Sequence, residues 1–140
     1  MFSKENILKV NVFILFMAAV MDLIRGIMHT YNIKYAAVNI AGIEPIPDSL
    51  VLMGSFGISN FLTAFIYLLI IWKARQLAPY VLIFIPISYV VGAFGLFQFQ
   101  NVAMEANFQG QYLMRVYLAI FTITALAYFL PFRKKQLQSS

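Results

Sequence analysis

Cysteine is absent from the 140 residues, which excludes disulfides, thiolate metal sites and thiol redox chemistry. Charge is scarce too: Asp, Glu, Lys and Arg together make up 11% of the chain, five of these residues are acidic, and there is a single histidine. A soluble domain would carry roughly a quarter of its residues charged, so water is not the main solvent for this chain. A zinc site would have to combine His29 with Glu44, Asp48 or Glu105, whose spacing follows no metal motif. No phosphate-binding glycine loop and no nucleophile elbow is present, and no cofactor is implied.

What is there is apolar: 62% hydrophobic residues and a mean hydropathy of +0.82. Crossing a hydrocarbon core of about 30 Å takes roughly 20 helical residues, and four runs are long enough, at residues 7–29, 50–72, 78–97 and 112–132. Stretches such as FILFMAAVM and FIYLLIIW are continuously apolar, without the alternation that a membrane β-barrel needs. The expectation is an all-α integral membrane four-helix bundle, a single transmembrane domain over residues 1–140, multi-pass in the cell membrane, and in a bacterium the cytoplasmic membrane.

The net charge of +5 reads as topology and not as a nucleic-acid surface, because the basic residues lie at helix ends and do not interleave with exposed aromatics. Lys4, Lys9, Lys73, Arg75, Arg133, Lys134 and Lys135 fall on one side. The other keeps Lys34 with Glu44, Asp48 and Glu105, and Arg25 and Arg115 sit near its border. This bias predicts N-in/C-in, with Trp72 and Tyr80 marking the inner interface and Tyr31, Tyr35 and Tyr112 the outer one. Cleavage of a signal peptide near Ala19 is the competing reading, but apolar character resumes after Asp22 and no soluble domain follows, which favours an uncleaved first helix.

Both outer loops have character. In IKYAAVNIAGI, Ile33, Ala36, Ala37, Ile40 and Ile43 fall at helical spacing, predicting a short interfacial helix that EPIPD then breaks. QFQNVAMEANFQGQ is amide-rich and reads as a polar link. GSFG (Gly54 to Gly57) and GAFG (Gly92 to Gly95) would lie at similar depth on antiparallel helices and read as close-packing devices. Pro86 is expected to kink the third span.

The stretch DLIRGIMH puts charge inside the first apolar run. At about 100° per residue, Asp22, Arg25, His29, Asn11 and Ala18 share one helix face, and a rise of about 1.5 Å per residue sets Asp22 roughly 10 Å deeper than His29. A charge at mid-membrane costs about 2.5–3.5 kcal/mol, so it turns inward and finds partners. Ser55, Ser59, Asn60, Thr63 and Tyr67 offer them on the second span, Ser88 with Gly92 and Gly95 on the third, and Gln111, Arg115 and Thr122 on the fourth. The expected site is a polar, outward-facing cavity built from Asp22, Arg25, His29, Asn60 and Arg115, taking a small polar or anionic ligand. Enzyme chemistry ranks lowest, because Asp22 is too far along the helix to orient His29. The alternative is an accessory or assembly subunit of a larger membrane complex, or a homo-oligomer, in which the same charges lock the bundle. Beyond the lipid bilayer the sequence names no partner.

Overall fold

A computed structural model of the chain describes residues 3–97 and 110–130. It is all-α. Helix α1 spans Lys4–Tyr31, α2 is a single turn at Ile33–Tyr35 that runs into a π-helical turn at Ala36–Ala41, and α3 spans Pro47–Lys73. A 3₁₀ turn at Arg75–Leu77 leads into α4, Ala78–Phe97, and α5 spans Gly110–Phe129. The sequence spans are recovered to within a few residues, with residues 131–132 of the fourth lying outside the described ones, as do Arg133 to Lys135 and most of the amide-rich loop with Glu105. Helices α1, α3 and α4 are long and apolar enough to cross a membrane, and α5 contributes a shorter apolar segment, Leu113–Phe129.

Local chemistry sets the ends. Ser3, in extended conformation, caps α1 by accepting from the Asn6 N–H at 3.2 Å. Pro47 opens α3, where its fixed φ fits and its missing N–H costs nothing. The π-turn ends at Gly42, whose φ of 67° is the left-handed conformation that glycine adopts without strain.

Helix α1 is the hub and packs against α3, α4 and α5, while α4 pairs with α5. Helices α3 and α4 are joined by the Arg75–Leu77 turn and pack against it, not extensively against each other. A core of Leu15, Ala78, Leu82 and Ala125, flanked by Tyr67, Ile70, Val81 and Phe121, ties the four long helices together on the side of that turn. Asn11, fully buried, pins α1 to α5 by donating from Nδ2 to the Thr124 carbonyl at 3.2 Å. The opposite end is closed by Ala36, Ala37, Ala41 and Met53 with Met28, Ile33 and Leu50. Of the predicted interfacial stripe, Ile33, Ala36 and Ala37 turn inward, but Ile40 and Ile43 are exposed and Ala41 is buried instead. The wider π-turn, with its i to i+5 bonding, explains the change by bringing Ala36 and Ala41 onto one side.

Buried positions on the helices are mostly small, and the large side chains point out: Val51, Trp72, Phe94 and Ile123 are each about 70% exposed. This inside-out distribution suits a surround of acyl chains. The two glycine motifs part company. A Cβ on Gly57 would stand 2.7 Å from Thr30 Cγ2 and 3.1 Å from the His29 backbone carbon, and one on Gly26 2.8 Å from the Phe61 ring, so α1 and α3 meet here at near-backbone distance. Around Gly92 and Gly95 no described atom lies within 4 Å. The expected pairing of GSFG with GAFG is therefore replaced by a contact of GSFG with α1. Pro86 removes an amide donor from the middle of α4, which continues through it to Phe97.

Gly57→Ala is expected to lower the stability of the folded state by about 1–3 kcal/mol, the usual range for overpacking, whereas Gly92→Ala leaves it unchanged or raises it by up to about 1 kcal/mol, the helix-interior preference for alanine. Thermal unfolding of the two purified variants in detergent checks the contrast.

Candidate functional site

A cavity of about 440 Å³ lies among the four long helices, all of which contribute to it. Its polar side consists of Asp22 and Arg25 on α1, Asn60, Thr63 and Tyr67 on α3, Ser88 and Tyr89 on α4, and Tyr117 on α5. Ala18, Val81, Phe84, Ile85, Leu118, Phe121 and three methionines form the rest. The cavity lies at mid-length of α1, and its α4 wall lies in the half beside the Arg75–Leu77 turn.

Asp22 is turned inward, with 16% of its side chain exposed, and Arg25 follows one turn later at 31%. The Arg25 Nη1 stands 3.6 Å from Asp22 Oδ1, looser than the 2.7–2.9 Å or so of a charge-assisted hydrogen bond. Each charge reaches to another helix as well. Thr63 on α3 donates its hydroxyl to Asp22 Oδ2 at 2.8 Å. Arg25 donates from Nη2 to the Tyr117 hydroxyl on α5, with its guanidinium 4.9 Å from that ring's centroid, an electrostatically favourable stacking. The Thr63 hydroxyl also lies 3.0 Å from the Asn60 carbonyl and 3.2 Å from that of Ser59, but its single proton is best placed on the carboxylate, the nearest and only anionic acceptor of the three.

Of the five site residues expected from sequence, the structure brings Asp22, Arg25 and Asn60 together on the cavity wall. His29 and Arg115 are not among the lining residues. His29 lies higher on α1, against Gly57 of α3, and its Nδ1 is buried with no hydrogen-bond partner among the described residues. Arg115 is on the exposed side of α5, because Met114, Tyr117, Leu118 and Phe121 turn that helix's other face to the cavity. Tyr89 and Tyr117 were missed. Their signal was an aromatic hydroxyl in the middle of an apolar run, away from the interfacial positions where tyrosine is common. Among the described residues no three His, Asp or Glu side chains gather to hold a metal ion.

No protein-family model matches the chain, and no curated protein or solved structure is detectably similar to it. The site therefore speaks through its own chemistry. It offers hydrogen-bond donors and acceptors beside an apolar wall.

Thr63→Val is expected to destabilise the fold by about 0.6 kcal/mol and at most about 1.7, the average and the maximum for hydrogen bonds between membrane helices, and Thr63→Ser to retain most of that stability. In an Asp22→Asn background the Thr63→Val effect falls by about half, as the acceptor loses its charge. A double-mutant cycle on unfolding free energies reads this coupling.

Proposed function

We propose that this chain is a small polytopic membrane protein, with both termini and the Arg75–Leu77 turn on the cytoplasmic side, whose intrabundle cavity binds a small polar ligand at the Asp22–Arg25 pair. The membrane setting rests on three helices of sufficient length and hydropathy, with the apolar α5 as the fourth span. Sidedness rests on the basic residues that flank the helices at the Lys4 and Lys73 ends. Lys73 also stacks over Trp72, its Nζ 3.7 Å from the ring centroid, an anchor suited to an interface.

One observation carries the binding reading: two ionisable groups border a cavity at mid-helix and are only partly satisfied by the protein. A charge at the helix centre costs about 2.5–3.5 kcal/mol; Asp22 lies just past that centre, and Arg25, one turn nearer the Tyr31 end, costs less. Each gains one interhelical hydrogen bond, to Thr63 or to Tyr117, and such bonds return about 0.6 kcal/mol on average and 1.7 at most. Their mutual attraction is weakened by the 3.6 Å separation. Bundle stability alone is a poor reason to keep them, and a ligand that completes their hydrogen bonds is a better one.

A second reading has support of its own. Because Asp22 reaches α3 and Arg25 reaches α5, the pair also braces three helices, which suits an accessory subunit whose charges are a structural lock. The readings separate on a variant that fills the cavity without touching the pair. Ser88 lines the cavity from α4 and bonds only its own helix, at the Phe84 carbonyl. Native mass spectrometry of protein gently extracted from its membrane should show one small molecule per chain, lost in Ser88→Phe while the fold persists. A bare chain, or an adduct retained by Ser88→Phe, overturns the binding reading. A stoichiometric protein partner in place of the adduct establishes the accessory one.

Topology is tested on a background that needs no prior removal of thiols. In intact cells, a membrane-impermeant maleimide should label Asn39→Cys and spare Gln76→Cys until the membrane is opened. The reverse pattern would invert the orientation.

A further inference from the structure

The cavity's charges select a class of ligand, an inference that rests on the binding reading above. Among the described residues, Asp22 and Arg25 are the Asp, Glu, Lys, Arg or His side chains on its wall, one of each sign, so these charges balance before anything enters. Neither charge is saturated. The guanidinium has five N–H donors, of which one goes to Tyr117 and another points at Asp22 beyond hydrogen-bond length. The carboxylate has about four acceptor positions, of which Thr63 takes one. A strong donor and a strong acceptor therefore stand side by side, one helical turn apart.

We propose that the cavity takes an uncharged amphiphile whose polar head carries an adjacent acceptor and donor, as a carboxamide does, with its apolar body against Phe84, Ile85 and Phe121. The carbonyl of such a head accepts from Arg25 and its N–H donates to Asp22, adding a partner to each group without changing the charge of the site. An anion would meet Arg25 only in competition with Asp22. A cation would meet Asp22 only in competition with Arg25. Either leaves one net charge in a surround of low dielectric, where like-charge contacts at a few ångströms are costly. The apolar body is required by the other wall, which offers aliphatic and aromatic carbon.

Octanamide, octanoate and octylammonium share one alkyl chain and differ in head charge, so they isolate this selection. Binding to the full chain in lipid nanodiscs at neutral pH is read by calorimetry and thermal shift, with Ser88→Phe as the blank for partitioning into lipid. Octanamide is expected to bind at least tenfold more tightly than either ion and to stabilise the wild type but not Ser88→Phe. Arg25→Gln should move the preference toward octylammonium and Asp22→Asn toward octanoate. Unfolding of each variant without ligand reports whether it still folds, and the wild-type ranking stands as the test if one does not. Tightest wild-type binding by either ion overturns the inference and leaves the cavity a ligand site. Failure of all three probes also overturns it, and the presence or absence of the native adduct then decides separately whether the cavity binds anything.

Discussion

An ion pair that a membrane helix cannot hide by itself is the constraint on which the arrangement turns. Asp22 and Arg25 lie one turn apart on α1, a helix about 42 Å long, with the short carboxylate side chain about 13 Å from the Tyr31 end. Their position obliges other helices to answer them: Thr63 from one side, Tyr117 from the other. The helix that carries the charges is also the one that packs against every other long helix. Hub and site are the same element.

Small residues make that hub workable. Gly26 and Gly57 let α1 and α3 approach until side chain meets backbone, and Ala19 on α1 and Ala64 on α3 are likewise small and fully buried. Tight packing of α1 on α3, with α4 paired to α5 instead of α3, leaves the space that becomes the cavity. On the turn side Leu15, Leu82 and Ala125 close it off, with the Asn11 amide fastening α1 to α5. The fold is thus firm at one end and hollow at mid-length, and the hollow coincides with the charges.

Much of this architecture could be read from the residues. The start of α4 at Ala78 was given by the apolar run, and the ends of α1 differ from expectation by the turn that Ser3 caps and by two residues at the Tyr31 end. Asp22, Arg25 and Asn60 could be placed because each belongs to a polar face of its own helix, which periodicity reveals. His29 shares the face of Asp22 but not its surroundings. Packed helices cross, so one face meets different neighbours at different heights, and two turns above Asp22 it meets Gly57. Arg115 went astray for another reason: the rotation of α5 about its axis is set by Tyr117, Phe121 and Ala125 seeking the interior, which leaves Arg115 on the exposed side. Tertiary packing decides such rotations, and a single helix does not encode it.

The three acceptors around the Thr63 hydroxyl bear on how the carboxylate can behave. Should Asp22 turn to a new partner, the threonine proton swings to the Asn60 or Ser59 carbonyl by rotation about one bond, and no donor is stranded in the apolar interior. The residue that steadies the acid thus has a fallback, and letting the acid go strands nothing. Exchange at this position becomes a matter of bond rotation on the timescale of side-chain motion, with no helix obliged to move.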